Sequence, residues 1–450
     1  LPSKRLSINY MYNNRKIWDV SYPVLLGLLA QNIINVIDTA FLGRVSEVAL
    51  GASALGGLLY ICVLTVAFGF SVGSQILIAR RNGEGRYSDI GVIVQQGIIF
   101  MFILAVILFF ITRFVAPTFI DMVITNKDIN QATNEFLSWR MFGFFFSFIN
   151  AIFRAFFIGI TKTKVITMNA IVMALANVAL DYAMIFGHFG FPGWGIKGAA
   201  IASVISEALS TLFFLLYTYG YTDFKKYGLK RIKSFDFPLL SRILNISSFT
   251  MFQYFLSMSV WFVFFVAIER IGQRELAIAN IVRSIYVVLL IPVQALSVTA
   301  NSLVSNLIGS EGASNVMKLL GKISKMSLLI MVACASVTII FPKGILSVYT
   351  NEIGLINEAI PSLYVISIAM IVASVSNIYF NGISGTGNTK AALILETITL
   401  AIYTIYIFVI ALYFRSPVSV CFSAEIVYYL LMLICSILYF KKGKWQDKKI

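Results

Sequence analysis

Pro23-Val-Leu-Leu-Gly-Leu-Leu-Ala-Gln-Asn-Ile-Ile-Asn-Val-Ile-Asp38-Thr-Ala-Phe-Leu-Gly43 places one carboxylate, Asp38, inside an otherwise apolar run. An Asp at the centre of a helix in hydrocarbon costs about 2.5–3.5 kcal/mol, so an acid so placed is expected to face a protein or water interior and to serve a purpose there. A second run repeats the pattern in Asn177-Val-Ala-Leu-Asp181. Both runs read as membrane spans: apolar residues make up 59% of the chain, mean hydropathy is +0.87, and apolar stretches long enough to cross a bilayer recur from end to end.

Breaks at charged, Gly or Pro residues divide the 450 residues into twelve candidate spans. The first six cover 17–42, 48–80, 90–112, 130–160, 165–187 and 197–220; the second six cover 241–268, 273–309, 315–341, 355–384, 390–414 and 417–440. The expected organisation is an N-terminal segment 1–16, a first lobe 17–220, a polar linker 221–240, a second lobe 241–440 and a tail 441–450. The linker carries Lys225, Lys226, Lys230, Arg231 and Lys233.

The net charge of +15 raises the question of a polyanion partner. The cations sit in short loops, however, which the positive-inside rule explains without nucleic acid. With twelve spans, roughly 24 Lys and Arg fall on the side shared by both termini, against about 8 on the other, so both termini are expected in the cytoplasm of a plasma or inner membrane. The first span is too long for a signal peptide and lacks a small-residue cleavage site. The chain opens on Leu1 and not on Met, so natural first residues are expected to be missing. Cys62, Cys334, Cys421 and Cys435 are scattered singly, and His188 is the only histidine, which excludes a histidine-based metal centre or triad. No phosphate-cradling Gly-x-x-x-x-Gly-Lys motif occurs, so ATP drive and enzymatic phosphate chemistry are not expected.

The halves echo each other at an offset of about 225 residues, the mark of a transporter built from repeats. Gly83-Glu-Gly85 answers Gly309-Ser-Glu-Gly312, and Phe157-Ile-Gly159 answers Phe380-Asn-Gly382. Six spans per half make the lobes parallel, with a substrate cleft expected between them. Neither Asp38 nor Asp181 has a counterpart in the second half, so the pair belongs to the first lobe alone.

Asp38, Asp181 and Ser203 each lie a few residues from the outer end of their spans, which at 1.5 Å per residue sets all three roughly 6–9 Å below the outer surface. Asn177 is one turn from Asp181 on the same face, and Asn35 sits just below Asp38. This set of oxygens suits either of two guests: a proton shared by two repelling carboxylates, or sodium ligated by Asp38, Asn177 and Asp181. Local pairing or helix capping by each acid is the plainer alternative. Glu207 and Glu425 are further acids within spans; both are candidates to line the cleft and attract cations, or to pair with buried arginines or hydroxyls. Of the span arginines Arg140, Arg154 and Arg283, the last is the candidate counter-ion, while Glu396 is expected to reach the interface. Pro23 and Pro292 each remove a backbone hydrogen bond, and Pro23 is the candidate hinge of the helix that carries Asp38. Dense Phe, Tyr and Met suit flat amphipathic organic cations.

Gln31-Asn-Ile-Ile-Asn-Val-Ile-Asp38-Thr-Ala-Phe-Leu-Gly43, Asn177-Val-Ala-Leu-Asp181-Tyr and Gly195-Ile-Lys-Gly-Ala-Ala-Ile-Ala-Ser203, in that order, resemble the multidrug and toxic compound extrusion (MATE) family over nearly the whole chain. The resemblance implies an all-α membrane protein of the MATE or MOP-flippase type, with twelve helices in two pseudo-symmetric six-helix lobes. It implies export of organic cations in exchange for protons or sodium, with no other cofactor. It is nearest the DinF-like branch, whose cation site matches Asp38, Asn177, Asp181 and Ser203 and whose bending proline matches Pro23. The second-lobe acids of the NorM-like branch fall at Gln253 and Ser374 here, which leaves Gln253 as a cleft residue beside Glu207, Arg283 and Glu425. A monomer is expected. The alternative is a related flippase for a lipid-linked saccharide or peptidoglycan precursor, which would need a strongly basic cleft; a non-transporting receptor or scaffold fits the internal repeat poorly.

Overall fold

The computed structural model describes residues 13–229, 235–443, 445 and 446. All regular structure among them is helical: α1 Asn14–Val45, α2 Glu47–Gly83, α3 Tyr87–Val123, α4 Lys127–Arg140, α5 Gly143–Gly159, α6 Lys164–Phe186, α7 Gly195–Tyr221, α8 Phe237–Glu269, α9 Gln273–Glu311, α10 Val316–Ile340, α11 Pro342–Leu346, α12 Ile353–Gly385, α13 Thr389–Ile407 running into a π turn at Phe408–Tyr413, α14 Val418–Cys421 and α15 Ser423–Lys442. Eleven of these stretches are long and apolar enough to cross a membrane, twelve when the bent pair α4 and α5 counts as one span. The cationic N-terminal residues Lys4 and Arg5 and the linker residues Lys230, Arg231 and Lys233 lie outside the described residues.

Polar side chains punctuate the apolar chain where helices must start. Ser46 accepts from the Ala49 amide at 3.0 Å to open α2, Asn126 accepts from two amides to open α4, and Asn388 accepts from Ala391 to open α13. The span expected over 130–160 is broken: α4 and α5 meet at 52°. The residues at the break, Met141 and Phe142, are apolar, so hydropathy runs through it without a signal.

The described residues form two units, Tyr22–Met251 and Phe252–Ile450 with Leu1–Ser21. The chain passes from one to the other inside α1, one residue before Pro23, and inside α8. In the first unit α6 packs on α7, and α2 on α4 and α5. The linker is pinned to α3, because the Gly91 amide donates to the buried Tyr227 carbonyl at 2.8 Å and the Asp236 amide donates to Gln96 Oε1. In the second unit α12 is central, packed by α9, α10 and α15. Ile17 and Val20 join its core beside Leu296 and Val304.

The first part of α8 is seated on α2 by a close backbone approach. Thr250 donates to the Gly69 carbonyl at 2.6 Å, and a Cβ at Gly69 would stand 2.6 Å from the Met251 amide nitrogen. Gly69→Val therefore forces α8 off α2 and is expected to destabilise the chain by about 1–3 kcal/mol, seen as a lower thermal denaturation midpoint of the purified protein in detergent.

Candidate cation site

Asp38 comes from α1, Asn177 and Asp181 from successive turns of α6. Asp181 is 0% exposed and Asn177 1%, while Asp38 is half-buried. With its amide nitrogen turned toward the acids, the orientation that the surrounding acceptors require, Asn177 donates to Asp38 Oδ1 at 2.9 Å and to Asp181 Oδ2 at 3.3 Å. The two carboxyl groups are also within hydrogen-bond reach of each other. Asp181 Oδ1 remains buried without a hydrogen-bond partner among the described residues. The cluster thus gathers two carboxylates round one amide with an acceptor to spare, the chemistry that receives a proton or a hard cation.

Two expected members are not brought to it. Asn35 is exposed, and its carbonyl accepts from Thr39. Ser203 on α7 is half-buried and its hydroxyl makes no hydrogen bond to either acid among the described residues, although its carbonyl accepts from Ser206 at 2.8 Å.

Glu207 is not an open cation attractor. Arg140, at the end of α4, grips it with two hydrogen bonds of 2.6 and 2.9 Å, and Tyr60 of α2 donates to both of its oxygens at 3.0 and 3.2 Å. The guanidinium lies 3.7 Å from the Tyr60 ring centroid. The break between α4 and α5 makes room for this arrangement: at Gly143 a Cβ would come within 2.6 Å of the Tyr60 hydroxyl. Arg140 acts electrostatically on Asp38 and Asp181 as well. The sequence offers Glu207 a buried arginine as one alternative and Arg283 as the candidate counter-ion; the fold supplies Arg140 instead. The signal available was that Arg140 lies within a span with no acid beside it on its own helix face.

Apart from Pro23, the remaining candidates belong to the second unit. Arg283 on α9 stands 5.0 Å from the Phe265 ring centroid, its Nε has no hydrogen-bond partner among the described residues, and it shares a cavity of about 10 Å³ with Glu425. Glu425 on α15 accepts from Tyr286 and Tyr403, so its donors are hydroxyls. Gln253 is half-buried on α8, and Ser374 on α12 donates to the Ile371 carbonyl of its own helix. Glu396, expected at the interface, is instead 4% exposed and held by Ser257 and Tyr428. On α1, Pro23 is buried, and Thr167 of α6 donates to its carbonyl at 2.7 Å.

The sequence pattern of the MatE family matches this chain twice, over residues 23–183 and 250–410. A probable multidrug resistance protein NorM of Thermotoga maritima is 23% identical over 435 residues, 96% of this chain and 93% of its own length. A probable NorM of Pasteurella multocida is 23% identical over 85% of this chain and 83% of its own length. Among solved structures, the fold matches an outward-facing multidrug resistance MATE transporter of the MOP superfamily at TM-score 0.87, 16% identity, over 98% of this chain and 99% of that one. It matches a MOP superfamily transporter from Pyrococcus furiosus, described as having a binding pocket of reversed polarity, at TM-score 0.85 and 18% identity over 97% of both. Two family matches laid over an all-helical, multi-span chain whose halves repeat show that it belongs to the multidrug and toxic compound extrusion (MATE) family, as a membrane transporter and not an enzyme.

Proposed function

We propose that this protein is a secondary antiporter that exports amphipathic organic cations, multidrug substrates among them, in exchange for an inward-moving proton or sodium ion bound by Asp38, Asn177 and Asp181. One observation carries the reading: Asn177 donates to both acids, which leaves two carboxyls and one buried oxygen unpartnered among the described residues, a set that a single positive charge completes. The arrangement follows the DinF-like branch, with both termini cytoplasmic in the plasma membrane and the monomer as working unit. One-for-one exchange of a singly charged organic cation for a proton or sodium ion moves no net charge, so the concentration gradient of the coupling ion is the drive: a tenfold gradient supplies about 1.4 kcal/mol, enough for a tenfold substrate gradient. The flippase alternative has little support here, since Arg140, one of the three span arginines it would draw on, is neutralised by Glu207.

The deciding experiment reconstitutes the protein in liposomes and imposes a proton or a sodium gradient. Wild type is expected to accumulate an organic-cation substrate against its gradient with one ion and not the other, and Asp38→Asn to accumulate it with neither. Undiminished export by Asp38→Asn rejects the mechanism.

Pro23 is the proposed hinge. It has no N–H for the preceding turn, and its buried carbonyl is tied to Thr167 on the helix of Asp181, so a change at the acids is transmitted along α1 and α6 together. Pro23→Ala restores the missing N–H and straightens the turn. Transport in liposomes is expected to fall several-fold while equilibrium binding of the coupling cation is retained.

A further inference from the structure

The second unit holds two buried acids that the Asp38–Asp181 site does not use, and their surroundings differ. At Glu425 each carboxylate oxygen has a donor, Tyr403 at 3.0 Å on Oε1 and Tyr286 at 3.1 Å on Oε2. The Tyr286 and Tyr429 hydroxyls lie 2.7 Å apart, and Arg283 faces the same small cavity. Glu425 is therefore fully supplied with donors.

Glu396 on α13 is not. Its Oε1 accepts from Ser257 and, at 3.4 Å, from Tyr428, but its Oε2 is buried with no hydrogen-bond partner among the described residues. No Lys or Arg pairs with it among the described residues. Gln253, one turn before Ser257 on α8, also has a buried Oε1 without a partner among the described residues. Tyr428 and Tyr429 of α15 interact with both Glu396 and Glu425. From α8 comes Ser257. A bare carboxylate oxygen sealed from water and from cations is costly, and one proton on it removes the charge and supplies the missing O–H.

We propose that Glu396 is a second proton-carrying site, loaded and unloaded separately from the Asp38–Asp181 pair. Loading takes one proton from the aqueous phase onto Oε2; unloading returns it and leaves a carboxylate held by Ser257 and Tyr428. The chain can then take up a proton whichever cation the first site selects. The inference does not depend on the role proposed for that site.

The test is infrared difference spectroscopy, acid minus alkaline, on the full chain in lipid bilayers, with Asp38→Asn/Asp181→Asn as the background. That background is expected to keep a high-frequency carboxyl band, the signature of a dry protonated acid. Adding Glu396→Gln is expected to abolish the band, whereas adding Glu425→Gln leaves it. Ser257→Ala removes a donor to the ionised form and is expected to move the band's midpoint toward alkaline pH, which a purely packing role of Glu396 would not do. A band untouched by Glu396→Gln, no such band in the background, or a Ser257→Ala midpoint equal to the background's overturns the proposal.

Discussion

Asp181→Asn is expected to reduce the substrate gradient that the protein sustains under a tenfold gradient of the coupling ion from about tenfold to about unity. Asp181 is fully buried, and its Oδ1 has no partner among the described residues. An asparagine there keeps the shape but removes one negative charge, and its amide N–H group can donate to Asp38 as a cation would. The guest is then no longer needed. Substrate binding should persist, because the change touches what drives the cycle and not the organic cation. The check is paired: equilibrium substrate binding to the purified variant beside accumulation in liposomes under the coupling gradient. Loss of accumulation with binding retained is the predicted outcome.

The second large effect is at Arg140. Removing one partner of a buried ion pair costs about 3–5 kcal/mol, because the other is left charged and dry. Arg140→Met strands Glu207 with only the Tyr60 hydroxyl and also removes the cation from the Tyr60 ring. The thermal denaturation midpoint in detergent is expected to drop sharply. Arg140→Met/Glu207→Leu, which takes away both charges, should recover much of the loss. Glu207→Gln acts differently. It frees the Arg140 charge, which already reaches Asp38 and Asp181, to compete with the incoming cation, so half-maximal transport should require a higher coupling-ion concentration.

What could be read from the sequence follows from the cost of charge in hydrocarbon. That cost makes spans visible as apolar runs and makes Asp38 and Asp181 conspicuous within them. The i, i+4 spacing of Asn177 and Asp181 fixes a shared face on α6, and both are buried there. What could not be read depends on which distant helix lies opposite. Arg140 and Glu207 are 67 residues apart and meet because the chain breaks at Met141 and Phe142, where hydropathy carries no mark. Glu396 looked close enough to its helix end to reach water, but α8 and α15 cover it with Ser257 and Tyr428. Asn35 is exposed for a helical reason: three residues before Asp38 it is turned by about 60°.

The most direct measurement is a double-mutant cycle on gradient-driven export in liposomes, with Asp38→Asn, Asp181→Asn and both together. If the two acids hold one cation between them, each single change already destroys the site, and the double variant is predicted to be no worse than either single. Losses that multiply, or export that survives either single change, would contradict a shared site.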